Sequence, residues 1–148
     1  MLTIAIGSDH AGYPLKEKIK EFLLSKGYKV IDFGTQSMDS TDYPLFARDV
    51  CLAVQRNEAQ RGILVCGTGI GMCITANKFR GIRAALCMNE YMARTSRKHN
   101  DANVLCLGNR IMGDDLALAV VEAWLSTDFE GGRHERRVKL IREIEDML

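Results

Sequence analysis

At 148 residues, with twenty basic and nineteen acidic side chains and a net charge of +1, the chain suits one domain with an ordinary core. That balance gives no bulk attraction to nucleic acid or to a membrane surface. Five cysteines, at 51, 66, 73, 87 and 106, are odd in number and contain no C-x-x-C pair. This argues against a disulfide framework or a zinc knuckle and for reduced thiols in a cytosol.

The first segment, residues 3–7, is short and apolar, and lacks the basic flank and cleavage region of a signal peptide. No apolar run reaches the length of a bilayer span, so a soluble, cytoplasmic protein is expected. Further short apolar runs bounded by Gly, Asp or Asn follow at 29–33, 63–66 and 103–107, with a weaker, alanine-rich one at 82–86. They read as buried parallel strands. Amphipathic stretches near 13–26, 43–56, 69–78, 90–99 and 113–125 alternate with them and are long enough for crossover helices. In the first, Pro14 suits the opening turn, Leu15, Ile19, Phe22 and Leu23 share a stripe, and Gly27 ends it. The order predicts a three-layer Rossmann-like α/β sandwich around a five-stranded parallel sheet. A charged helical tail at 131–148, with Val138, Ile141 and Ile144 on one side, has no strand after it and is expected to pack on a partner subunit. Nothing marks a second domain within 1–148.

Ligands of open parallel sheets bind beyond the carboxyl ends of the strands. That rule selects Ser8, Asp9 and His10, then Gly34, then Cys66-Gly67-Thr68-Gly69-Ile70-Gly71, then Gly108 to Arg110. Cys66 opens directly onto a glycine loop whose amides can approach an anion, and the helix after the loop aims its positive end at the same point. A thiol there suits proton abstraction; a cysteine in that position is otherwise a small buried hydrophobe. Met72 stands where a dinucleotide fingerprint needs glycine and where a cysteine-phosphatase loop needs arginine, and no Gly-Lys-Ser/Thr is present. His99-Asn100-Asp101 is either a helix carboxyl terminus or a catalytic group, and Asp9-His10 is either a cap or part of a site. Arg133 and Arg137, four apart, form either an oxyanion clamp or a solvated face.

Taken together, Gly7-Ser8-Asp9-His10-Ala11-Gly12, Asp42-Tyr43-Pro44, the loop from Cys66, Ala76-Asn77-Lys78, Gly81-Ile82-Arg83-Ala84, Ser96-Arg97-Lys98-His99-Asn100-Asp101-Ala102-Asn103 and Gly131-Gly132-Arg133-His134-Glu135-Arg136-Arg137 resemble the ribose-5-phosphate isomerase B family from end to end. The resemblance implies interconversion of ribose 5-phosphate and ribulose 5-phosphate in the non-oxidative pentose phosphate pathway, without metal or cofactor. It makes Cys66 the base between C1 and C2, with Thr68 and the amides of Gly67, Gly69, Ile70 and Gly71 on the enediolate oxygen. It assigns ring opening to His99 helped by Asp9, sugar binding to Asn100, and phosphate binding to His10, Arg110, Arg133 and Arg137. It implies a homodimer or tetramer whose sites are shared between chains. Where some relatives carry a glutamate base on the next helix, this chain reads Met72-Cys73-Ile74-Thr75, which leaves Cys66 as the base and Cys73 as packing. The rivals are an isomerase of allose or galactose 6-phosphate, a noncatalytic sugar-phosphate or nucleotide module, and a thiol redox sensor, for which a resolving cysteine is lacking nearby.

Overall fold

The alternation seen in the sequence becomes a sheet with helices on both faces. A computed structural model describes residues 1–148 as β1 (Thr3–Ser8), α1 (Tyr13–Ser25), β2 (Lys29–Asp32), α2 (Tyr43–Gln55), β3 (Arg61–Cys66), α3 (Ile70–Ala76), β4 (Ala84–Leu86), α4 (Glu90–Asn100), β5 (Val104–Gly108), α5 (Asp114–Leu125) and α6 (Arg133–Glu145). All five strands are parallel, in the order β2-β1-β3-β5-β4. The first connection leads outward to β2 and the next crosses back over β1 to β3. A crevice therefore opens between the carboxyl ends of β1 and β3.

Alternate residues of each strand serve opposite layers. Ile4, Ile6, Ile63, Val65, Leu105 and Leu107 join Leu15, Ile19 and Leu23 of α1 and Val120, Val121 and Trp124 of α5 in one core. Ala5, Leu64, Cys66, Val104 and Cys106 meet Val50 and Val54 of α2 and Met72 and Ala76 of α3 in the other. Helix α2 lies unusually close to the sheet: a Cβ on Gly62 would stand 2.7 Å from Val50 Cγ1, and one on Gly7 3.0 Å from Val50 Cγ2. Only glycine leaves room for that seat.

The first core also encloses a charge. Lys16 is fully buried on α1, with Nζ 2.9 Å from both oxygens of Asp32 and 2.8 Å from the Thr35 carbonyl. Burial alone would raise the Asp32 carboxyl, but hydrogen bonds from Lys16, the Gly34 amide and Lys20 outweigh it and hold the group below its ordinary range. The pair ties the end of β2 to α1 beneath the crevice.

Three boundaries differ from the sequence reading. Strand β4 keeps only three residues at the sheet edge, because Ile82 and Arg83 belong to the turn that enters it. Helix α3 is seven residues long, and α4 runs through Asn100 to end on Asp101, which takes the left-handed conformation at φ 49°. The tail helix α6 packs on α4 of its own chain, burying His134 and Val138 while Ile141 and Ile144 remain 47% and 62% exposed. No helix is long and apolar enough to cross a membrane.

Candidate active site

Beyond the ends of β1, β3 and β5 lies an open cleft of about 420 Å³ lined by Asp9, Tyr43, Cys66, Thr68, Ile74 and Arg110, with Gly67, Ile70 and Gly71 completing the glycine-loop wall. Cys66 is the last residue of β3, so its backbone is fixed by the ladder with β5 while its side chain, 5% exposed, reaches the cleft floor. The Gly69 amide donates to Cys66 Sγ at 3.2 Å. Gly69 holds φ +82°, and a Cβ there would meet Leu86 Cδ1 at 2.6 Å, so only glycine turns the chain under the sulfur in this way. Because α3 has just seven residues, its dipole is short. The direct N–H bond is the firmer local support for negative charge on sulfur.

Asp9 is buried, and its Oδ1 accepts the Gly12 amide at 2.9 Å, closing the loop that starts α1. It thus closes the turn into α1, whose N-cap is Gly12, and still faces the cleft. His10 is clamped from across the crevice: its amide donates to Thr41 Oγ1 and its Nδ1 accepts the Thr41 amide, both at 3.1 Å. With Nδ1 occupied as an acceptor, the neutral ring carries its proton on Nε2, which leaves a donor edge. Arg110 folds over the loop, its Nη1 3.1 Å from the place of a Cβ on Gly67.

The remaining predicted residues are at the other end of the sheet. Helix α4 starts beyond the carboxyl end of β4 and returns to the amino end of β5, a run of eleven residues and so roughly 16 Å. Its last turn therefore carries His99 and Asn100 away from Cys66. There the His99 ring stacks on that of His134, centroids 4.1 Å apart and 12° from parallel. His134 opens α6 beside Arg133, with Arg137 one turn on. Burial, then His99 and Arg133, press the His134 imidazole below its usual range. Arg80, Arg83 and Arg97 are each paired with Asp101 or Asp146, whereas Arg110, Arg133 and Arg137 stand exposed without a carboxylate partner. A single chain thus brings together Asp9, His10, the 66–71 loop and Arg110, and keeps His99, Asn100, Arg133 and Arg137 apart from them. The tail does not fold over its own chain's cleft.

Sequence reasoning missed Tyr43, whose ring lies against Gly71 on the cleft wall, and Thr41, which holds His10. The only signal was Asp42-Tyr43-Pro44, quoted for its resemblance and given no role. Cys73 packs against the core of α2 and α3. Cys106 lowers the Cys73 thiol against the opposing effect of burial, while Cys73 and burial raise the Cys106 thiol. Cys73 is still no rival base, for it faces the Ala84 carbonyl and Asn77 rather than the cleft.

With this geometry in hand, the likenesses to known proteins are specific. A family model described as Ribose/Galactose Isomerase matches residues 4–141. Ribose-5-phosphate isomerase B of Escherichia coli is 52% identical over 98% of this chain and 97% of its own. D-erythrulose-4-phosphate isomerase of Pectobacterium atrosepticum is 47% identical over 95% and 93%. Among solved structures, ribose-5-phosphate isomerase B of Clostridium thermocellum superimposes with a TM-score of 0.98 at 57% identity, covering 99% of each chain. The Mycoplasma genitalium enzyme with bound ribulose-5-phosphate gives 0.95 at 43% identity, covering 99% of this chain and 97% of that one. Sheet order, loop and end-to-end likeness agree, and the chain belongs to the ribose/galactose isomerase family.

Proposed function

We propose that the chain interconverts ribose 5-phosphate and ribulose 5-phosphate through a cis-enediol(ate), at a site that a second copy completes. The observation that carries the reading is Cys66 on the cleft floor, its sulfur accepting the Gly69 amide of the glycine loop that walls the same cleft. A proton beside a carbonyl needs a placed base and donors aimed at the oxygen that becomes negative. The cleft offers both within one loop.

In this reading His99 of the second copy, with Asp9, opens the furanose, and Asn100 of that copy holds the sugar. Cys66 takes the proton from C2 as its thiolate and returns it to C1, while Thr68 and the amides of 67–71 hold the oxygen. His10 and Arg110 from one chain, and Arg133 and Arg137 from the other, bind the phosphate, whose binding energy fixes C2 against the sulfur. Each chain lacks half of this set at its own cleft, which favours a homodimer or a tetramer built from it. The apolar residues left exposed on α6 give the tail a contact surface on the partner. The chain acts as one domain in the cytosol, where its five free thiols are stable.

Hydrogen exchange at C2 of ribose 5-phosphate in heavy water tests reaction and base together. Wild type is expected to exchange and Cys66→Ala to lose exchange; equal exchange in the variant would remove Cys66 from the role. A second reading has the same chemistry on a sugar phosphate of another length, as the erythrulose-4-phosphate relative suggests. Turnover of four-, five- and six-carbon phosphates side by side separates the two, and a hundredfold preference against the pentose would overturn the substrate.

A further inference from the structure

The stacked imidazoles of α4 and α6 have a third neighbour that the isomerisation does not use. Glu130 lies one turn before His134, with Oε1 3.5 Å from His134 Nε2, and donor atoms of His99, Glu130 and His134 all lie within 4.8 Å of one another. We propose that His99, Glu130 and His134 form a binding site for a divalent transition ion of the Zn²⁺ class. When filled, the site withdraws the His99 imidazole from sugar chemistry. That consequence rests on the role given to His99 above; the site itself does not.

Two imidazoles and a carboxylate are the donor set of open zinc centres, which keep a fourth position for water. Ligands at roughly 2.0–2.2 Å from zinc stand about 3.4 Å apart in a tetrahedron, so binding requires His99 and Glu130 to rotate inward toward His134. Glu130 is half exposed and His99 partly so, which leaves both free to turn, while the buried His134 is the fixed member. The rings are stacked 12° from parallel, so the partly exposed His99 must turn out of the stack before its lone pair and that of His134 meet on one ion. Arg133 and Arg137 oppose a cation here. The negative end of α4 and the Glu130 carboxylate favour one. Imidazole donors select zinc, copper, nickel or cobalt over magnesium and calcium, which prefer all-oxygen sets.

Calorimetric titration of Zn²⁺ into the full chain tests the site, with Cys66→Ala included to exclude the cleft thiol. One ion per chain is expected in wild type and in Cys66→Ala, with affinity at least tenfold weaker in Glu130→Gln and lost in His134→Asn, thermal melts confirming that each variant is folded. Equal affinity in all four proteins, no saturable binding in wild type, or loss in Cys66→Ala would each overturn it. In the isomerase assay Zn²⁺ should raise the KM for ribose 5-phosphate in wild type and do so at least tenfold less effectively in Glu130→Gln. Binding without inhibition would keep the ion site and remove His99 from the reaction. Activity that responds normally to substrate but no ion binding would do the reverse.

Discussion

The two ends of the sheet carry different halves of the proposed chemistry. At the carboxyl end, Cys66, Asp9 and the glycine loop are fixed by strand ladders and by turns that only glycine can make, and little there can move. At the amino end, His99, Arg133 and Arg137 sit near helix termini, half-buried or exposed, and the two arginines have no carboxylate partner. The rigid end suits proton transfer at carbon, which tolerates little misplacement, and the looser end suits the ring opening and phosphate contacts proposed for it. In the proposed mechanism neither end is complete without another chain.

The sharpest way to break this comparison is Cys66→Ala, which should lower turnover by roughly 10²–10⁴-fold with KM little changed, as steady-state kinetics would show. Mixing inactive Cys66→Ala with inactive His99→Asn chains comes next. In a dimer with sites drawn from both ends, exchange of subunits yields one intact site per mixed pair and about a quarter of wild-type activity; no recovery would place both residues in one chain's site. Arg137→Ala should raise KM by about 10–100-fold, the loss of one charge-assisted phosphate contact, with a smaller effect on kcat. An unchanged KM would leave the clamp to Arg110 and Arg133.

Stability effects are smaller in activity but distinguish the two ends further. Asp32→Asn removes the buried partner of the Lys16 ammonium, leaving it Glu17 at 2.9 Å and the Thr35 carbonyl, and should cost about 3 kcal/mol, lowering Tm by roughly 6–12 °C. Because the folded carboxyl lies below its ordinary 3.8, its contribution is present above that value and is lost as pH falls through the lower folded one. Acid melts of Asp32→Asn should accordingly show a shallower pH dependence than wild type below pH 4. Cys73→Ser, facing away from the cleft, should leave kcat within about twofold; a loss like that of Cys66→Ala would shift the base to α3.

The layer structure was legible because burial on both faces gives strands such as 63–66 an unbroken apolar run, and because the stripe of α1 ends at Gly27. The glycine loop was legible for the same local reason. Strand order was not, since apolar patterning says which residues are buried and nothing about which strand lies beside which. The end at which His99 sits could have been read: in a parallel sheet each helix returns to the amino edge, so a residue just before β5 lies opposite one just after β3. Thr41 and His10 are thirty-one residues apart, and their mutual bonds depend on a loop whose path carries no period. Tyr43 looked like an ordinary helix start. Only the packing of α2 shows that its ring forms a wall.

That packing gives Gly62 a reach beyond its own neighbourhood. Val50 rests where a methyl on Gly62 would be, and Tyr43 lies seven positions earlier on the same helix, about 10 Å along its axis. A helix of this length moves as a rod, so a methyl added under Val50 would lift or tilt the whole of it and carry Tyr43 with it. The breadth of the cleft is therefore set from mid-sheet, by a residue that no substrate ever meets.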